Sequence, residues 1–215
     1  MAAAASRSNR AERTREQILE AAAVRFADLG FTDTRLEDVG EDVGIGRSAV
    51  LYHFRDKHQL YRAVLDDLFG GLLVELRSAL TSDRTLAERL EGAVCAFVDT
   101  MARRPTAARL LVREAVNTDP VRRAEVRARS RPFLKLVERV YEEGELSGAF
   151  RPARSDPLHF VSMVAGATLF YFAALPTFVA DLPYDLRSPE QVEAHKRDVL
   201  EITRRLLGIR GPRVA

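Results

Sequence analysis

Side chains that can hydrogen-bond to nucleic acid lie close together in one short stretch, which contains Arg47, Ser48, Tyr52, His53 and Lys57. An arginine can bind a guanine edge through two parallel hydrogen bonds or contact a phosphate, and a serine can bond to either. The tyrosine, the histidine and the lysine would contact phosphates and fix the register of the protein on a duplex. This combination of residue types predicts a surface that binds DNA.

The residues before this stretch predict a short helix that ends in a glycine turn. Leu36, Val39 and Val43 recur at a spacing that places them on one face of a helix. Gly44 follows the last of them, and glycine readily adopts the positive φ that reverses the chain. A second helix should therefore begin directly after this turn.

That second helix begins at Ile45 or Gly46 and is expected to bury Val50 and Phe54. The pair of helices is a helix-turn-helix, in which the second helix enters the major groove. The remaining side chains of this helix are distributed over its outward faces: Arg47, Ser48, Ala49, Leu51, Tyr52 and His53.

The stretch from Phe31 to Leu60 resembles the amino-terminal DNA-binding domain of the tetracycline-repressor-like (TetR/AcrR) transcriptional regulators. The resemblance is carried by the aromatic residue after Gly30, by the glycine turn, and by Tyr52-His53-Phe54 followed three residues later by Lys57. It implies that Tyr52, His53 and Lys57 contact backbone phosphates, as the matching positions do in the family. It also implies phosphate contacts at Thr34 and Arg35, which precede the first helix of the pair.

Two positions depart from the family's pattern. Gly46 stands where members usually have serine or threonine, and Leu51 stands where they usually have tyrosine. Leucine suits a thymine methyl group rather than a polar contact, so the operator sequence cannot be carried over from relatives. The full set predicted to face DNA is Thr34, Arg35, Gly46, Arg47, Ser48, Ala49, Leu51, Tyr52, His53 and Lys57.

The glycine turn also fits a competing motif. The run Gly44-Ile-Gly46-Arg-Ser-Ala49 matches the dinucleotide fingerprint G-x-G-x-x-G/A, and Asp66 lies about twenty residues further on. That fingerprint requires an apolar strand before it, within a βαβ unit. Acidic residues such as Glu41 and Asp42 precede this run and helices follow it, so the context disfavours a dinucleotide site.

The charge of the chain is nearly balanced, with 33 basic and 31 acidic residues and a net charge of +2. DNA binding must therefore be local rather than a property of the whole surface. The opening segment can supply part of it as a basic arm, or it can be a solubilising tail. Its cations are Arg7, Arg10, Arg13 and Arg15, with only Glu12 to offset them.

Apolar residues recur at helical spacing along the chain and never alternate like a strand, which predicts an all-α fold of about nine helices. Asp33 or Thr34 is expected to cap the first helix of the pair, and Asp56 a long linking helix. Ser82-Asp83 is a boundary signal before the helix that follows. Two domains are predicted. Residues 1–56 form a basic arm and a helix-turn-helix domain, and residues 57–215 form a helical domain for effector binding and dimerisation.

The cellular compartment is predicted to be the cytoplasm. A single cysteine, Cys95, cannot form an internal disulfide, and no secretory signal is visible; this thiol is either a small buried hydrophobe or an oxidation sensor. Residues 157–180 contain no charged side chain and are long enough to span a bilayer. Ser162, Gly166 and Pro176 dilute this hydrophobicity, so we expect a protein interior or a subunit interface and no membrane span.

The second half contains no P-loop, no G-x-S-x-G elbow and no H-E-x-x-H, so no catalytic set, metal site or cofactor is predicted. The rival interpretation is a helical small-molecule-binding protein or enzyme with a vestigial DNA-binding domain. The resemblance implies an effector pocket, whose candidate lining follows from residue chemistry alone: Phe97, Met101, Leu110, Arg113, Phe133, Met163, Phe170 and Tyr171. A basic run from Arg122 to Arg139 is either a solvated face or a site that attracts an anionic effector such as an acyl-coenzyme.

The last two helices match the family's dimer interface, which is a four-helix bundle formed with the same helices of a second subunit. Small side chains in an uncharged helix allow such close approach. The predicted interface residues are Ala165, Gly166, Ala173, His195, Val199 and Ile202. The expected function is that of a homodimeric repressor, released from a pseudo-palindromic operator by a small molecule.

Overall fold

The computed structural model describes residues 2–153 and 155–209, with side chains from residue 9 onward, and this part of the chain contains helices and connections but no strand. The predicted all-α class is confirmed. The elements are α1 (Ala2–Asp28), α2 (Gly30–Asp33), α3 (Leu36–Val43), α4 (Arg47–His53), α5 (Lys57–Leu80), α6 (Leu86–Arg103), α7 (Pro105–Ala115), α8 (Pro120–Leu146), α9 (Pro157–Leu169), a π-helical turn (Phe170–Ala174), α10 (Leu175–Phe178) and α11 (Pro189–Leu207).

The segment predicted to be a basic arm is helical. Residues 2–28 form one helix, so Arg10, Arg13 and Arg15 are presented along α1. The side chain of Arg7 lies outside the described residues.

Two compact units divide the chain, residues 1–68 and residues 69–215. The division falls inside α5, whereas the sequence placed a boundary between residues 56 and 57. The reason is the packing of the first turns of α5: Tyr61 lies 5.3 Å from the ring of Phe26 and 5.2 Å from that of Phe31. Leu60 and Val64 are buried beside it, so these turns belong to the first core.

The first unit is held by an apolar core and a two-bond ion pair. Ile18, Phe26 and Val39 have no exposed surface. The guanidinium of Arg25 donates two hydrogen bonds, of 2.7 and 2.8 Å, to the Asp42 carboxylate and thereby ties α1 to α3. The hydrogen bonds from Arg25 hold the pKa of the Asp42 carboxyl below its usual value.

The turn between α3 and α4 has the predicted glycine geometry. Gly44 is left-handed, with φ of +73°, and its amide donates to the carbonyl of Glu41. The amide of Ile45 donates to the carbonyl of Gly40 at 2.9 Å, so the turn closes directly over α3. A Cβ at Gly40 would lie 2.6 Å from the carbonyl oxygen of Ile45, which requires glycine at that position too.

Helix starts in the second unit follow capping chemistry. α6 begins after the boundary predicted at Ser82-Asp83 and is capped by Thr85, whose side chain forms a capping box with that of Glu88. Asp119 and Asp156 cap α8 and α9, each directly before a proline. Upstream, the amide of Gln59 donates to Asp56 Oδ1 at 2.7 Å, which is the cap predicted for α5.

Charged pairs join α11 to α6 in the second unit. Arg204 of α11 donates two hydrogen bonds of 2.8 Å to Glu91 of α6, and Lys196 lies 2.7 Å from Asp99.

The segment Pro157–Phe178 has a mean hydropathy of 1.7 and is long and apolar enough, by length and composition alone, to cross a membrane. In an 18-residue window of that segment 22% of the residues are buried, and four of its large apolar side chains are exposed: Leu158, Met163, Phe170 and Phe178.

Candidate DNA-binding surface and effector cavity

The helix α4 exposes one face and buries the other. Val50 is fully buried and the following Phe54 is 1% exposed, whereas Tyr52 is 83% exposed. Arg47 and Ser48 at the start of α4 are also exposed. Gly46 is the N-cap residue and supplies no side-chain hydrogen bond; Ala49, Leu51 and His53 are half-buried. α4 therefore presents side chains that can donate hydrogen bonds to DNA, on a helix anchored from behind by apolar contacts.

Arg47 is held along the edge of α3 by an ion pair. Its Nε lies 3.2 Å from Oε1 of Glu37, and both side chains are about half exposed, at 59% and 50%. A solvent-exposed pair of this kind contributes at most about 1 kcal/mol. Arg47 can therefore exchange Glu37 for a base edge or a phosphate at little cost.

Lys57 has a structural role that the sequence did not reveal. Its Nζ donates to the carbonyl oxygens of Thr32 and Thr34, at 3.0 Å each, and lies 4.7 Å from the ring centre of Phe31. Burial lowers the pKa of this ammonium group. Two of the three N–H donors are thus committed to α2 and the residue that follows it, and only the third is available to a phosphate.

Thr34 is not placed as predicted. It is fully buried, and its hydroxyl donates to the carbonyl of Gly30 at 2.7 Å, so its side chain neither caps α3 nor reaches a phosphate. The N-cap position of α3 is taken by Arg35, which makes no side-chain capping hydrogen bond and is exposed. Arg35 is therefore the member of this pair that can meet DNA.

One cation beside α4 was missed by the sequence reasoning. The Arg55 side chain is 90% exposed and lies with Arg15, His53 and Gln59 in a polar groove of about 510 Å³. Arg15 of α1 lies over the Phe54 ring at 5.0 Å. The available signal was the basic residue that directly follows Tyr-His-Phe.

A small cavity occupies the core of the second unit. Its volume is about 60 Å³, less than half of the ~150 Å³ cavity that holds benzene in an engineered protein, so a ligand must widen it. Phe97 and Phe133 line it, as predicted. The other lining residues are also apolar and come from α5, α6, α8 and α9: Leu76, Leu90, Ala93, Val94, Val137, Phe160, Val161, Val164 and Ala165.

The other predicted pocket residues lie elsewhere. Met101 and Leu110 are core residues, at 0% and 1% exposure. Met163 and Phe170 are exposed, at 45% and 54%. The ring of Tyr171 is stacked on that of His195, and Arg113 is half-buried on α7. None of these lines the cavity, because helical spacing identifies apolar faces but not the element that each face meets.

Some of the predicted interface residues are accessible on the single chain and others are packed inside it. Gly166 is exposed, Ile202 is 37% exposed, and Ala173 and His195 are half-buried. Val199 is 1% exposed, so it packs within its own chain and its assignment to the interface is wrong. Ala165, assigned to the interface, contributes to the cavity wall.

Two further features concern reactivity: the Cys95 thiol and the arrangement of side chains that could bind a metal ion. Cys95 is half-buried, and burial raises the pKa of its thiol, which disfavours the reactive thiolate. Within residues 2–153 and 155–209, no group of three or more His, Cys, Asp or Glu side chains could hold a metal ion.

His195 predicts a loss of stability on acidification. Burial lowers its pKa below the usual 6.5, against the opposing charge of Asp198, and Nε2 is buried without a hydrogen-bond partner. The unfolded chain therefore binds more protons between the folded-state pKa and 6.5, and the free energy of unfolding should fall as the pH falls through that window. Denaturant unfolding at neutral and mildly acidic pH measures this fall. His195→Phe should reduce it and the exposed His159→Phe should not; equal pH dependence in the two variants would contradict this prediction.

Comparison with known proteins agrees with this architecture. Residues 18–64 match the family described as "Bacterial regulatory proteins, tetR family", and residues 87–202 match "Tetracyclin repressor-like, C-terminal domain". The second match alone covers more than half of the chain. The chain therefore belongs to the tetracycline-repressor-like (TetR) family of bacterial transcriptional regulators.

Individual relatives have low sequence identity to this chain. The chain is 27% identical over 139 residues to the HTH-type transcriptional repressor KstR2 of Mycolicibacterium smegmatis, covering 64% of this chain and 68% of that protein. The ketosteroid transcriptional regulator KstR2 of Mycobacterium tuberculosis has a similar fold, with a TM-score of 0.72, 22% identity and coverage of 92% of this chain and 95% of that chain. AibR, solved with isovaleryl coenzyme A and operator DNA, gives a TM-score of 0.70 at 17% identity, covering 88% and 97%.

Proposed function

We propose that this chain is a homodimeric transcriptional repressor, and not an enzyme, that acts in the cytoplasm and leaves its operator when a small molecule enters the cavity of the second unit. The observation that carries this proposal is the exposed face of α4. Arg47 and Ser48 can read base edges, while Tyr52, His53, Arg35 and the third donor of Lys57 contact phosphates.

Dimerisation supplies the geometry for operator binding. Two copies of α4 must lie about 34–36 Å apart, or a multiple of that distance, to enter successive major grooves. Large apolar side chains exposed on Pro157–Phe178, such as Met163 and Phe170, support an interface between two copies of the chain, since single subunits rarely leave a contiguous apolar patch in water. The same segment joins the cavity wall through Phe160, Val161 and Val164.

Effector binding would act on α5, the helix common to both units. Leu76 of α5 lines the cavity, and Lys57 at the other end of α5 holds the chain that precedes α3. A ligand that widens the cavity must displace its wall, and a displacement of α5 changes the separation of the two recognition helices. Effector and operator then weaken each other's binding by the same factor.

The regulator assignment is tested by a mobility-shift assay with fragments of the source genome at two salt concentrations. We expect a small set of fragments to be bound much more tightly than random DNA, with an affinity that falls as salt rises. If no fragment binds better than random DNA even at low salt, the proposal fails.

The dimer is tested by Gly166→Arg. A Cβ at Gly166 meets nothing within 4 Å, so the substitution leaves the single chain undisturbed while it places a charge in the proposed interface. Sedimentation should show a monomer. Gly70→Arg is the matched control, because Gly70 is also helical with nothing within 4 Å, and it should remain dimeric. A dimeric Gly166→Arg protein would place the interface elsewhere.

A further inference from the structure

A second concave site in the second unit is rich in cations. A groove of about 350 Å³ lies between α5 and α8, and its lining includes Arg77, Lys135 and Arg139. The remaining lining residues are uncharged: Leu73, Thr81, Pro132, Phe133 and Leu136. The groove therefore gathers positive charge from two helices with no carboxylate among its walls.

Within the described part of the chain, none of the three cations forms an ion pair that would explain their grouping. Lys135 and Arg139 are four residues apart on α8, so they lie on one face of the helix, where like charges repel. Arg77 adds a third cation to the same groove from α5. An anion bound in the groove would relieve this repulsion.

Phe133 connects the groove to the apolar cavity. Its half-buried ring lines both sites, so they are neighbours that share one side chain as a wall. One site has only apolar walls and the other is cationic and open to solvent. A single molecule that spans both must have an apolar chain at one end and an anionic head at the other.

We propose that the groove of Arg77, Lys135 and Arg139 binds the phosphate-bearing head of an acyl thioester of the coenzyme A type, whose acyl chain enters the cavity past Phe133. A free fatty acid shares the apolar chain but offers one carboxylate, which would leave most of these cations unpaired. A head with several phosphates can pair with all three. This inference rests on the proposed effector role of the cavity and names the chemical class of the effector.

Titration of the purified full-length protein, without DNA, with octanoyl-coenzyme A, octanoate and coenzyme A separates the contributions of chain and head. We expect the thioester to bind more tightly than either part alone, with an affinity that falls as salt rises. In the variant Arg77→Ala/Lys135→Ala/Arg139→Ala, thioester affinity should fall about tenfold or more, since three exposed cation–phosphate contacts each contribute a modest factor. Octanoate affinity should change much less.

A matched control removes three exposed cations of α8 that do not line the groove, in the variant Arg123→Ala/Arg127→Ala/Arg131→Ala. It has the same change in net charge and should keep the wild-type affinity. Equal thioester affinity in both triple variants, or equal binding of octanoate and its thioester, would overturn the head-group assignment.

Operator release distinguishes this failure from failure of the proposed function. If octanoate and its thioester release the operator equally well, the repressor remains effector-responsive and only the head-group site is wrong. If the thioester binds as expected but the protein has no specific DNA target, the proposed function fails and the binding site stands.

Discussion

Gly40→Ala should weaken operator binding about tenfold or more while it leaves the second unit folded. A Cβ at Gly40 would lie 2.6 Å from the carbonyl oxygen of Ile45 and 3.3 Å from Cγ2 of Val50. The first of these contacts is with backbone, so the turn between α3 and α4 must move and α4 must move with it. Overpacking of this kind costs about 1–3 kcal/mol, which exceeds the ~0.5–1 kcal/mol gained when alanine replaces a helical glycine.

The measurements are the free energy of unfolding in denaturant and the operator dissociation constant. We expect the first unit to be destabilised and the dissociation constant to rise about tenfold or more, since ~1.4 kcal/mol corresponds to a factor of ten. Gly70→Ala in α5 is the control, because a Cβ there meets nothing within 4 Å. That variant should gain about 0.5–1 kcal/mol and bind DNA normally. Wild-type affinity in Gly40→Ala would show that the turn can relax without displacing α4.

Arg47→Ala and Lys57→Ala should weaken DNA binding in different ways. Arg47 is exposed at the start of α4 and forms an exposed ion pair with Glu37, so its removal should reduce discrimination between operator and mismatched sequence by about 1–3 kcal/mol. Lys57→Ala should weaken all sequences alike. It should also lower the free energy of unfolding by about 1–3 kcal/mol, because the carbonyls of Thr32 and Thr34 lose a charged donor.

Competition binding with an operator series, together with denaturant unfolding, separates these two roles. Arg127→Ala is the charge-matched control, since Arg127 is exposed on α8 in the second unit. It should change neither specificity nor stability. An equal loss of specificity in Arg47→Ala and Lys57→Ala would show that the base-reading and phosphate-contacting roles are wrongly assigned.

The helix-turn-helix was predictable because its signals are local. Apolar spacing at Leu36, Val39 and Val43 and the positive φ required at Gly44 depend on residues a few positions apart, and the structure contains both features. The all-α class follows from the same periodicity along the rest of the chain. Family resemblance added functional expectations for side chains whose surroundings depend on contacts between distant elements.

Those surroundings explain the corrections at Thr34 and Lys57. A threonine before a helix is ordinarily a cap, and a lysine after an aromatic motif is ordinarily free to contact phosphate. Here both side chains donate hydrogen bonds to the backbone at or next to α2. Thr34 donates to the carbonyl of Gly30, and Lys57 donates to the carbonyls of Thr32 and Thr34. The hydrogen bond from Thr34 to Gly30 is buried, where an unsatisfied carbonyl would be costly, and Lys57 bonds to two carbonyls at once.

The sequence by itself determined the helical class, the position of the glycine turn and the residues that α4 can offer to DNA. Only the tertiary structure decided which apolar faces meet. It brought Phe97 of α6 and Phe133 of α8 together with α5 and α9 around one cavity, buried Val199 within its own chain, and placed Arg77 beside Lys135 and Arg139. Helical periodicity records that a face is apolar, whereas its partner depends on how distant helices pack against one another.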